Sequence, residues 1–259
     1  NGVHNAPHMF YRIKLHFMKF LKISYLLFFC LALDAVTVDT GHANVSLVKF
    51  ESLQGDRSKT LLGIKMDMQE NWHTYWKNPG DSGGPIKVKW SHDNNISISK
   101  IYWPTPTLIP YEPLMTYGYK NFVIFPFEIT NSNNKNSYIE ANIDFLICDD
   151  ICVPEKALIK TNLDEIKSDP SLNDWFLKVP DQILPVKASV DSEYINIRFS
   201  SPFDVSSAIF FVDEQDIVEH AENQKLSKEE NNYLLSIKKV DYLESFENLS
   251  GVLLSLIHI

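Results

Sequence analysis

The chain has 259 residues, 44% of them hydrophobic and 22% charged, and a formal net charge of −9. So acidic a protein is a poor partner for nucleic acid or an anionic membrane. Beyond the amino-terminal region no stretch reaches the roughly 18 apolar residues that a transmembrane helix needs, and the length suffices for two modest domains.

From Met18 onward, Lys19 and Lys22 precede an apolar run from Ile23 to Leu33, and Gly41-His42-Ala43 places small residues where a signal peptidase cuts. Residues 1–43 are therefore read as upstream residues and a secretory signal peptide cleaved after Ala43, with Met9 as an alternative start. Cleavage there would remove four cations and two carboxylates, taking the net charge from −9 to −11. The product would be exported to an oxidising compartment.

Strict alternation follows. Leu62, Ile64, Met66 and Met68 share one parity, as do Ile86, Val88 and Trp90, and as do Ile139, Ala141, Ile143, Phe145 and Ile147. Period two in short segments, punctuated by Asn78-Pro79-Gly80 and Gly83-Gly84-Pro85, predicts an all-β antiparallel sandwich over residues 44–165. Residues 166–185 read as a linker with a helical turn near Leu172 to Lys178. Val186 to Val190, Tyr194 to Phe199, Ala208 to Val212 and Tyr233 to Ile237 predict a second, smaller β domain over 186–259. That domain is expected to be incomplete, because Leu254 to Ile259 stops inside a strand and resembles a translated sequencing adapter.

The chemistry concentrates in Cys148-Asp149-Asp150-Ile151-Cys152; the other cysteine, Cys30, lies in the segment expected to be removed. A loop this short removes little chain entropy, which favours redox or metal use over stapling. Parity places Cys148 away from the core. A three-residue hairpin loop, with Asp supplying a left-handed residue, would bring the two cysteines into cross-strand contact at disulfide distance. Asp144, Asp149, Asp150 and Glu155 surround the pair, with Lys156 the nearest cation, so thiolate should be disfavoured and the couple reducing. A structural disulfide remains open, as does copper(I) on two thiolates. Zinc lacks a second ligand pair, and Cys-x-x-Cys and Cys-x-x-Cys-His are absent, so no cofactor or metal is expected.

Four ordered motifs carry a resemblance: Trp72-His-Thr-Tyr-Trp-Lys-Asn-Pro-Gly-Asp-Ser-Gly-Gly84, Trp103-Pro104, Tyr117-Gly118-Tyr119, and Cys148-Asp-Asp-Ile-Cys152-Val-Pro-Glu155. Together they resemble the N-terminal periplasmic region of the DsbD/ScsB thiol:disulfide interchange proteins over about residues 44–160. The resemblance implies an immunoglobulin-like domain in the bacterial periplasm, with the full-length protein anchored in the inner membrane. Its redox pair would be Cys148 and Cys152, with Cys152 forming the mixed disulfide. Electrons would come from a membrane-embedded reductase domain through a thioredoxin-like redox domain, both absent from this chain, and would pass to oxidised periplasmic proteins. Tyr117, Gly118 and Tyr119 look like the family's cap loop, with ordinary core or rim packing of the two tyrosines as the alternative, and Trp72 joins them as a partner-binding candidate. Cytochrome c biogenesis and copper tolerance are both served by such proteins. The alternative is a non-catalytic partner- or copper-binding sandwich with a structural disulfide.

Gly80-Asp-Ser-Gly-Gly-Pro85 also matches the nucleophile motif of chymotrypsin-like proteases. Only His73 precedes Ser82 in residues 44–81, and no upstream segment resembles that family's histidine motif, so the glycines are read as a tight turn.

Overall fold

The computed structural model describes residues 37–51, 59–132, 136–184, 186–230 and 232–257. The expected signal segment up to residue 36, with Cys30, lies outside them. The first strands are β1 (Thr37–Asp39), β2 (Ala43–Lys49), β3 (Lys59–Met68), β4 (His73–Gly80), β5 (Lys87–His92) and β6 (Ile96–Ile98). They are followed by β7 (Thr107–Tyr111), β8 (Leu114–Lys120), β9 (Phe122–Asn131), β10 (Tyr138–Cys148) and β11 (Cys152–Asn162). A 3₁₀ turn (Pro170–Leu172) runs into helix α1 (Asn173–Phe176). Then come β12 (Lys187–Val190), β13 (Tyr194–Ser200), β14 (Val205–Val212), β15 (Lys225–Glu229), β16 (Asn232–Lys238) and β17 (Gly251–Ile257).

The first eleven strands build two antiparallel sheets, ordered β1-β2-β3-β9-β6 and β11-β10-β4-β8-β7, with β5 alongside β10 beyond the end of β4. The predicted alternation is what closes them into a sandwich. Leu62, Ile64, Met66 and Met68 from β3 and Ile139, Ala141, Ile143, Phe145 and Ile147 from β10 are all buried in one core.

Residues 37–43, expected to leave with the signal peptide, are part of this sandwich. Strand β1 pairs with β2, Ala43 is buried, and the backbone N–H of Thr40 bonds to the carbonyl of Ala43 at 2.9 Å. The expected linker is only partly one. Ile166 is buried in the sandwich core, and the Trp175 indole N–H donates to the Ile124 carbonyl at 2.9 Å while its ring meets Phe122 edge-on. Among the described residues no helix is long and apolar enough to cross a membrane.

The carboxy-terminal unit is a four-stranded sheet, β12-β13-β16-β15, and a two-stranded ribbon, β14-β17. The tail residues Leu254 to Ile257 continue β17 in pairing with β14, with a bulge between Val205 and Ser207. Strand β14 is apolar on both faces: Ile209 and Phe211 pack into the sandwich core, whereas Ala208, Phe210 and Val212 join a second core with Ile195, Ile197 and Leu235. One strand thus serves two cores.

Candidate functional site

Strands β10 and β11 pair in full register from Tyr138↔Asn162 to Cys148↔Cys152, so the hairpin loop is Asp149-Asp150-Ile151 as the spacing predicted. The cysteines form a disulfide with an S–S distance of 2.15 Å and Cα atoms 4.2 Å apart. The loop closes without the expected left-handed aspartate. Neither Asp149 nor Asp150 has positive φ, and the Asp149 N–H bonds to the Ile151 carbonyl at 3.2 Å.

The two sulfurs have unlike surroundings. Cys152 is exposed, whereas Cys148 is only 1% exposed. Parity does put Cys148 outside the core cluster that holds Ile147, but that face is covered. Strand β4 lies beside it, with His73 directly opposite Cys148 and the Thr74 hydroxyl donating to the Leu146 carbonyl at 3.0 Å. Two residues on, the buried Tyr75 hydroxyl donates to Cys148 Sγ at 2.8 Å and lies 3.3 Å from Cys152 Sγ. Burial pushes the Tyr75 phenol above its ordinary pKa, which keeps it protonated and a donor. Tyr75 was not singled out from sequence. Its only signal was a shared parity with His73 in the motif that begins at Trp72.

The protease-like motif covers this tyrosine. Gly80 and Gly83 adopt φ of 81° and 95°, making the tight turn expected between β4 and β5. A Cβ on Gly83 would overlap the Tyr75 ring, so the turn lies flat on it. His73 faces Cys148 and meets the Tyr75 ring edge-on, with centroids 5.4 Å apart, which gives it no role as a base for Ser82.

Residues 44–163 match the family described as Thiol:disulfide interchange protein DsbD, N-terminal. That segment is similar to the DsbD N-terminal family. A solved structure, the N-terminal periplasmic domain of ScsB from Proteus mirabilis, superposes with a TM-score of 0.62 at 17% identity, covering 85% of this chain and 92% of that one. At that identity the likeness concerns the fold, an immunoglobulin-like β-sandwich. No curated protein sequence is matched.

The other site candidates fall in different places. Tyr117, Gly118 and Tyr119 form part of strand β8 rather than a loop, with Tyr117 1% and Tyr119 5% exposed. The Tyr119 hydroxyl donates to the Pro104 carbonyl at 2.7 Å, and that of Tyr117 lies 2.9 Å from His220 Nδ1. Gly118 lets β8 approach β4, since a Cβ there would strike the Thr74 carbonyl. Trp72 is half-buried and stacks on His42 at 3.8 Å. His42 Nδ1 in turn lies 2.6 Å from Glu155, whose carboxylate also accepts from the Thr40 hydroxyl. His42 escaped the sequence reading because it was assigned to the removed segment.

Electrostatics around the pair are less acidic than expected. Glu155 stands opposite Phe145, on the core-facing parity rather than the cysteine face. Asp144 is ion-paired to Lys156 at 2.7 Å, with Lys87 and Lys89 also holding its pKa below the usual carboxylate range. Lys120 sits near His73. Lys87, Lys89 and Lys120 come from strands distant in sequence, which a linear neighbour count omits. Among the described residues no three His, Cys, Asp or Glu side chains gather as a metal site.

Two histidines give the fold a pH dependence. Burial, with the charge of Lys120 adding and Asp149 opposing, lowers the pKa of His73 from its ordinary 6.5. Burial lowers His220 likewise, against Asp81 and Asp216. Below 6.5 the unfolded chain binds protons that the native state refuses, so this contribution to stability is full above 6.5 and is lost as pH falls toward the folded pKa values. The urea midpoint should therefore drop between about pH 7.5 and pH 5.5, and His220→Gln should reduce the drop. An unchanged drop in that variant would clear His220 of any part in it.

Proposed function

We propose that the chain is a periplasmic thiol–disulfide exchange module, passing electrons from a membrane reductase to oxidised exported proteins through Cys148 and Cys152. The observation that carries this reading is the asymmetry of the pair. An exposed cysteine is bonded to a buried one, and the sulfur of the buried one accepts a hydrogen bond from Tyr75.

A reductase thiolate attacks Cys152 Sγ, the intramolecular S–S bond breaks, and its electron pair goes to Cys148 Sγ, where the Tyr75 hydroxyl stabilises the leaving thiolate. The reductase's second thiol then attacks its own sulfur in the mixed disulfide and releases Cys152. The reductase has lost two electrons and the pair has gained them, with protons taken from solvent. Toward a client the same steps run in reverse order: Cys152 attacks and Cys148 resolves. The thioredoxin-like and membrane-embedded domains would be supplied by further sequence of the same protein or by another chain. An amino-terminal signal peptide would export it, with cleavage upstream of Thr37 so that β1 is retained. Cytochrome maturation and copper tolerance both fit as destinations.

Cys148→Ser leaves the exposed Cys152 without its resolving partner, so incubation with a thioredoxin-fold domain whose single active cysteine is pre-activated as a disulfide with thionitrobenzoate should give a mixed disulfide as the Cys152 thiolate attacks and thionitrobenzoate leaves, seen as a non-reducing gel shift. Cys152→Ser should give far less, because Cys148 is buried. Unchanged partner binding with no trapped species in either variant would sink the relay and favour a non-catalytic module with a structural disulfide.

A further inference from the structure

Strand β4 connects the disulfide to the carboxy-terminal unit. At its start His73 and Tyr75 face the cysteines. Immediately afterwards the β4–β8 ladder breaks between Tyr75 and Gly80, and that stretch is held instead by the end of β14. Trp76, 0% exposed, meets Phe211 edge-on at 6.2 Å, and Lys77 pairs with Asp213 at 2.6 Å. Asn78, also 0% exposed, donates from Nδ2 to the carbonyls of Val212 at 2.9 Å and Glu214 at 2.8 Å. Its Oδ1 accepts from the Gly80 N–H at 3.0 Å, so the same side chain starts the turn whose Gly83 lies on the Tyr75 ring.

We propose that the carboxy-terminal unit positions Tyr75 for thiol–disulfide exchange, with Asn78 as the positioning residue. Asn78 binds β14 with one end of its amide and the turn over Tyr75 with the other, fixing the strand that follows the tyrosine and the turn that lies on its ring. A hydrogen bond to a developing thiolate weakens steeply when its donor swings away, so a displaced Tyr75 loses its hold on the leaving sulfur. The inference rests on the exchange reading for Cys148 and Cys152. It makes the redox site a property of both units.

The test is reduction of the full chain by dithiothreitol, whose thiolate attacks Cys152 and whose second thiol closes its own ring. Rates are measured across about pH 6 to 9, the range in which thiols ionise. With folding checked by circular dichroism, Asn78→Ala should slow reduction about tenfold, the size expected for losing a hydrogen bond to a charged partner, and should alter the pH profile. In a Tyr75→Phe background the same substitution should change neither rate nor profile further. A folded Asn78→Ala protein with wild-type rate and profile would overturn the proposal, and so would an equal slowing in the Tyr75→Phe background. If Asn78→Ala does not fold, Phe211→Leu loosens the same junction from the other unit, and the same pair of rate comparisons supports or overturns the proposal. A relay that fails to trap a thioredoxin-fold partner leaves this small-dithiol result untouched, so the two ideas fail separately.

Discussion

Phe211→Ala should destabilise the protein by about 3–5 kcal/mol, the usual cost of emptying a fully buried aromatic site. The loss should be felt by both units. Phe211 is 1% exposed and packs in the sandwich core, edge-on to Trp76 and to Tyr117, whose ring centroid is 5.1 Å away. Its chain neighbours Phe210 and Val212 belong to the second core. A strand shared by two cores cannot leave one without disturbing the other. Urea unfolding of the wild type should show one transition by both tryptophan fluorescence and far-ultraviolet circular dichroism, and the variant should move it as a whole. Two separated transitions, with the sandwich untouched by Phe211→Ala, would refute the shared-core account.

Gly83→Ala is the second large effect. The residue has φ of 95°, where an L side chain is strained, and its Cβ would overlap a buried ring. Strain and overpacking together should cost about 2–4 kcal/mol. Because the ring belongs to Tyr75, the cost should come with altered disulfide reactivity. The neighbouring Gly84→Ala is the control: its Cβ would find Leu146 Cδ1 at 3.7 Å, an ordinary contact, with no positive φ. Thermal melts of the two variants should differ clearly. Similar melting temperatures would mean that the turn yields without disturbing Tyr75.

The hairpin bearing the cysteines was legible because its information is local. Alternation fixed the faces of β10, and a loop of three residues left one register for Cys148 and Cys152. The burial of Cys148 was not legible. Parity tells which face a residue is on but not what lies over that face, and the cover is Tyr75, whose hydroxyl reaches the sulfur from 73 residues earlier in the chain. The same non-locality spoiled the charge argument, since Lys87 and Lys89 reach Asp144 by strand pairing. Strand β15, Lys-Leu-Ser-Lys-Glu, escaped because a solvent-facing edge strand carries no apolar alternation. Tyr117 and Tyr119 allowed either a cap loop or core packing from sequence, and their rings lie in packed interiors.

Among the described residues strand β14 pairs only with β17, which leaves its other edge open to hydrogen bonding. Two side-chain amides occupy that edge. Gln224 accepts from the Phe210 N–H at 2.8 Å and donates to the Phe210 carbonyl at 2.9 Å, while Asn78 takes the carbonyl of Val212. Gln224 mimics one residue of a missing neighbouring strand, and Asn78 supplies the donor half of another. An apolar edge such as Ala208 to Val212 is the kind that templates pairing between molecules, and here Gln224 and Asn78 already hold three of its outward-facing backbone groups.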